Sequence, residues 1–274
     1  MALSNNAQRV IVSIIAIPLI LSASYFGGLF FLFFVLAVAL VSYFEFFALV
    51  KKKEINAQLI TGFFAVAFLI VNQYRYFFDV YSFLIAIVVL LTFIELFRNN
   101  GSPVHNIGAT LLGIFYIGLF ASTLVGIREF FPPVGDLYLR GGYLIIAIFA
   151  SIWICDSAAY YIGTSFGRHK LFVRVSPKKS WEGAVAGFIF AVLTFIAAKY
   201  IFLDFLTLSS AVALGMIVGV IGQFGDLIES LIKRDAGIKD SSSLIPGHGG
   251  IFDRFDSILY SAPVILLYLK YFSR

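Results

Sequence analysis

Charged residues are scarce in this chain: they occupy 13% of its 274 positions, whereas 61% of positions are hydrophobic. So little charge, together with a mean hydropathy of +0.97, excludes an ordinary soluble domain. Apolar runs long enough to cross the roughly 30 Å hydrocarbon core of a bilayer recur along the whole length. The composition therefore predicts an all-α, polytopic integral membrane protein with one membrane domain over residues 1–274.

Cysteine and histidine are also rare. Cys155 is the single cysteine, so the chain cannot close an internal disulfide or build a cysteine-based zinc site. Two of the three histidines, His105 and His169, fall in predicted loops without the spacing of metal ligands. The net charge of +5 does not indicate a nucleic-acid partner, because no soluble basic surface is predicted to carry one.

About nine transmembrane helices are predicted from the apolar segments. They cover residues 9–26, 28–50, 57–75, 80–97, 107–128, 141–163, 182–203, 208–232 and 256–272. When the loops alternate between sides, one side receives fourteen of the 20 lysines and arginines: Arg9, Lys51, Lys52, Lys53, Arg98, Arg168, Lys170, Arg174, Lys178, Lys179, Lys233, Arg234, Lys239 and Arg254. The positive-inside rule assigns this side, and with it the N-terminus, to the cytoplasm.

The segment richest in chemistry is residues 230–256, which crowds acids, basic residues and glycines into an otherwise apolar chain. Ionisable groups are expensive near hydrocarbon, so such a density indicates function. Carboxylates suit a hard cation such as Mg²⁺, and lysine and arginine suit phosphate oxygens. The second half of the chain, residues 141–274, is therefore predicted to be catalytic, and residues 1–140 to be mainly scaffold.

The eighth segment carries a polar stripe. Asp226, Glu229, Ser230 and Lys233 follow one another at i, i+3, i+4 and i+7, which places them on one face of a helix. This face either lines a polar cavity or forms an interhelical salt bridge. A role in the site is favoured for Asp226, because the stripe runs directly into the charged loop, and the two readings are balanced for Glu229.

The ninth segment starts with two acids one turn apart, Asp253 and Asp256, on either side of Arg254. One of the acids could simply cap the helix. The N-terminus of a helix also favours anions, including phosphate. Our hypothesis is that Asp226 and Asp253, from two adjacent helices, hold a divalent cation between them.

The loop between these segments holds Lys239, Asp240 and the run Pro246-Gly247-His248-Gly249-Gly250. Paired glycines let the backbone approach a ligand closely and present its N–H groups. His248 would donate to a phosphate or order the loop. The sequence favours the first of these roles.

Two further segments carry polar groups. Residues 176–183 combine serines with adjacent lysines ahead of the seventh segment, which suits either an anion cradle or contact with lipid headgroups, and composition alone favours the lipid contact. In the sixth segment Asp156 is a ligand, a proton carrier or a hydrogen-bonded anchor. Glu45 and Glu95 lie near cytoplasmic ends of their segments, where both could reach the interface without a role in the site.

Residues 230–256 resemble the signature of phosphatidate cytidylyltransferases (CDP-diacylglycerol synthases). The matching positions are Ser230, Lys233, Arg234, Lys239, Asp240, Ser242, Ile245, Pro246, His248, Gly249, Gly250, Asp253, Arg254, Phe255 and Asp256. The resemblance implies the substrates CTP and phosphatidate, the products CDP-diacylglycerol and pyrophosphate, Mg²⁺ as cofactor with room for a second metal ion, and the plasma (inner) membrane of a bacterium as location, with the site facing the cytoplasm.

The same resemblance implies roles for individual residues. Asp226 and Asp253 would be metal ligands, and the segment 176–183 would belong to the nucleotide site after all. Catalytic contacts are expected from Lys233, Arg234, Lys239, Asp240, His248, Arg254 and Asp256. Substrate contacts are expected from Ser176, Lys178, Lys179, Ser180, Glu182, Ser230, Gly249, Gly250 and Asp156.

Two other functions would use some of the same sequence features as a phosphatidate cytidylyltransferase. A CTP-dependent polyprenol kinase shares the nucleotide and the membrane, but it would transfer the γ-phosphate to an alcohol, and the full match over residues 230–256 argues against it. An ion-coupled transporter could use Asp156, Asp226 and Glu229 as a pathway, yet it needs no dense polyanion loop and usually shows internal duplication. Small residues such as Gly113 and Gly118 permit a homodimer.

Overall fold

The computed structural model describes residues 5–242, 244–245 and 249–272. Within them the chain forms nine continuous helices and one β-hairpin. The helices are α1 (Asn5–Phe26), α2 (Gly28–Lys51), α3 (Leu59–Tyr74), α4 (Val80–Leu96), α5 (Pro103–Arg128), α6 (Gly135–Phe166), α7 (Trp181–Ile201), α8 (Leu208–Asp235) and α9 (Phe252–Phe272). The antiparallel strands β1 (Lys170–Phe172) and β2 (Ser176–Ser180) join α6 to α7.

The prediction of a helical membrane-type protein is confirmed in its main point. Among the described residues, five helices, α2, α5, α6, α7 and α8, are long and apolar enough to cross a membrane, and shorter apolar helices form part of α1 and all of α3 and α4. The one departure from an all-α fold in the described residues is the short hairpin ahead of α7, in which Lys170 pairs with Ser180 and Phe172 with Ser176.

Local sequence signals account for several helix starts. The side chains of Asp79, Ser102, Ser180 and Thr207 each accept a hydrogen bond from the backbone N–H group three residues further on, at the starts of α4, α5, α7 and α8. Each of these residues satisfies one of the N–H groups that a helix leaves unpaired at its first turn. Two helices also contain π turns, at Ile114–Leu119 in α5 and Val218–Gly222 in α8.

The core lies around α9, which packs against α2, α5 and α8. Phe252, at the start of α9, is fully buried. Its ring packs edge-to-face against Phe46 of α2 and Tyr116 of α5, at centroid distances of 6.4 and 5.7 Å. The N-terminal helices therefore fix the point at which α9 begins, even though α9 belongs to the second half of the chain.

Contacts between helix ends show which loops share a side. Lys53, after α2, forms an ion pair of 3.3 Å with Asp235 at the end of α8. Arg234, beside it, donates to the carbonyl of Val175 in the hairpin at 3.2 Å. At the opposite end the buried Arg128 donates to the carbonyl of Ser24 at 2.6 Å. The end of α2, the end of α8 and the hairpin thus lie at one end of the molecule, while the alternation of all nine predicted segments across a membrane stays a prediction.

Candidate active site

A cavity of about 980 Å³ opens where α6, α8, α9 and the hairpin meet the first two helices. Its walls differ in polarity. One part is lined by apolar residues of α1, α2 and α6, including Ala16, Ile20, Phe34, Val38 and Ile152. The other part is lined by charged residues of both signs: Asp156, Lys178, Lys179, Asp226, Glu229, Lys233, Asp240, Asp253, Arg254 and Asp256. Much of the apolar lining therefore comes from α1, α2 and α6, and most of the charged lining from the hairpin, α8 and α9; we call these two sets of lining residues the apolar and the charged compartment.

Three carboxylates converge in the charged part. Asp226 and Glu229 lie on one face of α8, and Asp256 reaches them from α9, so that one oxygen of each lies within 4.8 Å of the others. Glu229 is fully buried, and its Oε2 forms an ion pair with Lys233 at 2.7 Å. Three carboxylates whose oxygens approach one another this closely, two of them on buried residues, fit a hard divalent cation.

Asp253, the other predicted metal ligand, has different surroundings. Its Oδ1 accepts from Lys233 Nζ at 2.8 Å, and its Oδ2 accepts from the backbone N–H groups of Ser241 and Gly250 at 3.0 and 2.9 Å. The carboxylate thus joins α8, the loop and α9. The pairing of Asp226 with Asp253 at a metal stays a prediction. Among the described residues, the acid of α9 whose oxygen approaches Asp226 and Glu229 is Asp256.

Lys233 lies between two acids. Its ammonium group contacts Glu229 at 2.7 Å and Asp253 at 2.8 Å, and its side chain is 10% exposed. A buried ammonium ion needs such partners, because desolvation of an unpaired charge costs several kcal/mol. Asp226, Glu229 and Lys233 of the stripe predicted on α8 therefore line the cavity, and Lys233 also joins α8 to α9 through Asp253.

The hairpin closes one side of the charged part. Lys179 forms an ion pair with Asp226, and Lys178 is exposed on the cavity wall. Ser180 lines the cavity but also caps α7, since its Oγ accepts from the N–H of Gly183 at 3.2 Å. The hairpin therefore places Lys178 and Lys179 on the cavity wall, and their role in nucleotide binding stays a prediction.

Two other predicted residues of this segment serve the hairpin itself. Glu182 contacts His169 through both the ring, at 2.6 Å, and the backbone N–H, at 3.2 Å. Ser176 pairs with Phe172. Neither is among the described residues that line the cavity. Their observed contacts hold the strands against α7, so any part they play in substrate binding stays a prediction.

The glycines of the loop are needed where carboxylates approach the backbone. Gly249 has a φ of +85°, and a Cβ there would lie 2.7 Å from Asp253 Oδ2. A Cβ on Gly250 would lie 1.9 Å from Ser241 Oγ and 2.6 Å from Glu45 Oε2. The sequence predicts that the backbone at these glycines approaches a ligand closely, and in the structure it approaches the carboxylates of Asp253 and Glu45.

The remaining predicted residues are distributed around the site. Arg254 and Asp240 are exposed within the cavity, and Asp156 faces it from α6 and interacts electrostatically with Asp226, Lys179 and Arg254. Ser230 donates to Asp226 Oδ1 at 3.4 Å.

Two predicted residues, Arg234 and Lys239, do not line the cavity in the described part of the chain. Arg234 donates to the carbonyls of Val175 and Ile238, and Lys239 is exposed. His248 lies outside the described residues, as do Pro246 and Gly247.

Glu45 is the residue that sequence reasoning undervalued. It is 3% exposed and accepts hydrogen bonds from both ends of the segment between α8 and α9. Its one signal in the sequence is an acid within an apolar run, and such acids usually face protein or water for a reason. Glu95, which carries the same signal, is also buried and bonds to Gln58, Asn106 and Arg98.

Comparison with known proteins agrees with this geometry. A sequence model described as the cytidylyltransferase family matches residues 7–272. The chain is 32% identical over 280 residues to a phosphatidate cytidylyltransferase of Bacillus subtilis, covering 97% of this chain and 98% of that protein. It is 34% identical over 285 residues to one of Synechocystis, covering 96% of each. A protein of that name from Haemophilus influenzae is 40% identical over 132 residues, covering 45% of this chain and 44% of its own length. With a match over nearly its whole length, the chain belongs to the cytidylyltransferase family.

Proposed function

We propose that this protein is a phosphatidate cytidylyltransferase, which converts CTP and phosphatidate into CDP-diacylglycerol and pyrophosphate. The observation that carries the proposal is the cavity with two compartments. A nucleoside triphosphate needs cations and metal-binding carboxylates, whereas a diacyl lipid needs an apolar wall beside them. The relatives that match over nearly the full length are named for this reaction.

The metal would be held by Asp226, Glu229 and Asp256, whose oxygens converge. Mg²⁺ is the ion expected, and a second ion could share the same acids. When bound, such an ion neutralises triphosphate charge and aligns the reacting groups. Lys179 already pairs with Asp226, so this lysine would exchange part of that contact for a phosphate oxygen when substrate enters.

The bond changes are those of a direct displacement. A phosphate oxygen of phosphatidate forms a bond to the α-phosphorus of CTP, the bond from that phosphorus to the β-bridging oxygen breaks, and pyrophosphate leaves. The attacking phosphate monoester has a second pKa of about 6, by analogy with phosphoserine, so it is already largely ionised at neutral pH. The task of the protein is therefore to bring two polyanions together, for which Lys178, Lys179 and Arg254 supply positive charge on the cavity wall.

The lipid chains would occupy the apolar compartment. Its wall comes from α1, α2 and α6, with Ala16, Ile20, Phe34 and Ile152 among the lining residues. Burying acyl chains there keeps them in an environment as apolar as the bilayer. The first two helices would then bind substrate as well as support the fold, while the division into a scaffold half, residues 1–140, and a catalytic half, residues 141–274, stays a prediction.

The setting in the cell follows from the substrates. We place the protein in the plasma membrane of a bacterium with nine spans, the N-terminus in the cytoplasm and the charged compartment facing the cytoplasm, where CTP is found. The bias of basic residues supports this orientation. A homodimer is compatible with the proposal, and no nucleic acid takes part in it.

Turnover by the purified protein tests the proposal. In detergent with CTP, phosphatidate and Mg²⁺, we expect CDP-diacylglycerol and pyrophosphate in equal amounts. Asp226→Asn and Asp256→Asn should each lower the rate by more than about a hundredfold, because the charge developing on the phosphates loses its compensation. Asp204→Asn, an exposed acid outside the cavity, is the control and should keep the full rate. Wild-type rates in both site variants would contradict the assignment.

A further inference from the structure

Glu45 of α2 binds the two ends of the segment that connects α8 to α9. Its Oε1 accepts from the hydroxyl of Ser242 and from the backbone N–H of Ile251, at 3.1 Å for the latter. Its Oε2 accepts from the hydroxyl of Ser241 at 3.1 Å and from the N–H of Phe252 at 2.8 Å. Each oxygen thus joins one serine from the start of the segment to one backbone group at its end.

This arrangement uses the N-terminus of α9. The first N–H groups of a helix have no partner within it, and they carry a partial positive charge that favours an anion. The sequence suggests substrate phosphate for that position. In the structure Glu45 takes the N–H groups of Ile251 and Phe252, and Asp253 takes that of Gly250. Two carboxylates of the protein therefore already occupy the helix end.

The backbone at Gly250 packs closely against Glu45. A Cβ on Gly250 would lie 2.6 Å from Glu45 Oε2. The next residue, Phe46, packs against Phe252 at a ring distance of 6.4 Å. The carboxylate and its neighbouring ring therefore attach α2 to the first turn of α9 at two adjacent points.

Groups of the active site depend on the same backbone. Ser241, bound by Glu45 through its hydroxyl, donates its N–H to Asp253. Asp253 in turn contacts Lys233, and Asp256 follows one turn later on α9. A displacement at residues 241–242 or 251–252 would therefore move Asp253 and Asp256 relative to α8.

We propose that Glu45 is a positioning residue for the reaction: it acts from the first half of the chain by holding Ser241, Ser242, Ile251 and Phe252, and through them the acids of α9, in register with the carboxylates of α8. The kinetic part of this inference rests on the proposed function. The structural part does not, because it concerns contacts within the protein.

Glu45→Gln is the informative variant. An amide of the same shape has one accepting oxygen, and its NH₂ group cannot accept from a backbone N–H. One of the two bridges must therefore be lost while the volume is kept. Glu95→Gln is the matched control, because Glu95 is equally buried, at 4% exposure against 3%, and also accepts from several side chains. Its side-chain partners are Gln58 before α3, Arg98 after α4 and Asn106 on α5, and none of them belongs to residues 241–252.

The first measurement is a full kinetic analysis of both variants. Glu45→Gln should lower kcat/KM for CTP by about tenfold to a hundredfold, as expected when reacting groups shift by a fraction of an ångström to 1 Å. KM for phosphatidate should change less than about twofold, because the apolar compartment is untouched. Glu95→Gln should keep both constants within about twofold of wild type. An equal loss of activity in both variants would show a general effect of buried acids and would overturn the proposal.

The second measurement does not need activity. Amide hydrogen exchange at residues 250–253 should be at least about tenfold faster in Glu45→Gln and unchanged in Glu95→Gln. Unchanged exchange in Glu45→Gln would overturn the positioning role even if turnover fell. If the wild-type protein showed no turnover with CTP and phosphatidate, the proposed function would fail, whereas faster exchange in Glu45→Gln alone would still support the positioning role.

Discussion

Replacing Lys233 with methionine removes an ammonium group that contacts both Glu229 and Asp253. Methionine keeps most of the apolar stem, so the change isolates the charge. Glu229 is fully buried and the Asp253 side chain is 3% exposed. Two carboxylates would be left in a protected environment without their cation.

The expected destabilisation is large. Breaking a buried ion pair by removing one partner costs about 3–5 kcal/mol, because the remaining charge has been desolvated without compensation. For a chain of this size, 1 kcal/mol corresponds to a shift of about 2–4 °C in the unfolding midpoint, so Lys233→Met should lower Tm by roughly 6–20 °C. Neutralising one of the acids in the same molecule, in Lys233→Met with Glu229→Gln, should recover part of that loss.

Thermal unfolding in detergent measures this effect. The control is Lys53→Met, which breaks the ion pair with Asp235, where the side chains are 44% and 68% exposed. An exposed pair contributes only about 0–1 kcal/mol, so this variant should change Tm by less than about 4 °C. If Lys233→Met shifted Tm no more than Lys53→Met, or if the double variant were less stable than Lys233→Met, the reasoning about buried charge would be refuted.

Two further predictions concern the site. Asp256→Asn should raise the Mg²⁺ concentration needed for half-maximal rate by more than about tenfold. Asp253→Asn should lower the rate without that shift, because Asp253 contacts Lys233 and backbone N–H groups. The reverse pattern would support Asp226 and Asp253 as the metal-binding pair. Gly250→Ala should lower turnover by at least about tenfold, since its Cβ would lie 1.9 Å from Ser241 Oγ. The control Gly108→Ala, with open space around the new Cβ, should keep the wild-type turnover rate. Equal rates for the two alanine variants would argue against the close fit at Gly250.

The helices and the polar face of α8 could be predicted from the sequence, because both follow from periodicity within a single segment. The spacing of Asp226 and Glu229 alone places them on one face. The choice between Asp253 and Asp256 could not be made that way. Both lie on the same face of α9, and which of them meets Asp226 depends on how α9 packs against α8.

Contacts between distant parts of the chain could not be predicted from local sequence patterns. Glu45 is about two hundred positions from the residues that it binds, and no local pattern connects them. The hairpin was missed for another reason: strands of three and five residues are too short to show alternation, and Ser180 does cap a helix, as a helix start at that position would require.

The phosphorus atom of CTP that reaches the lipid distinguishes a cytidylyltransferase from a kinase. The measurement uses CTP labelled with radioactive phosphorus at either the α or the γ position, with phosphatidate, Mg²⁺ and the purified protein. We expect the α label to enter the lipid product and the γ label to leave as pyrophosphate. A γ label transferred to a lipid acceptor, with CDP released, would identify a kinase and contradict the account.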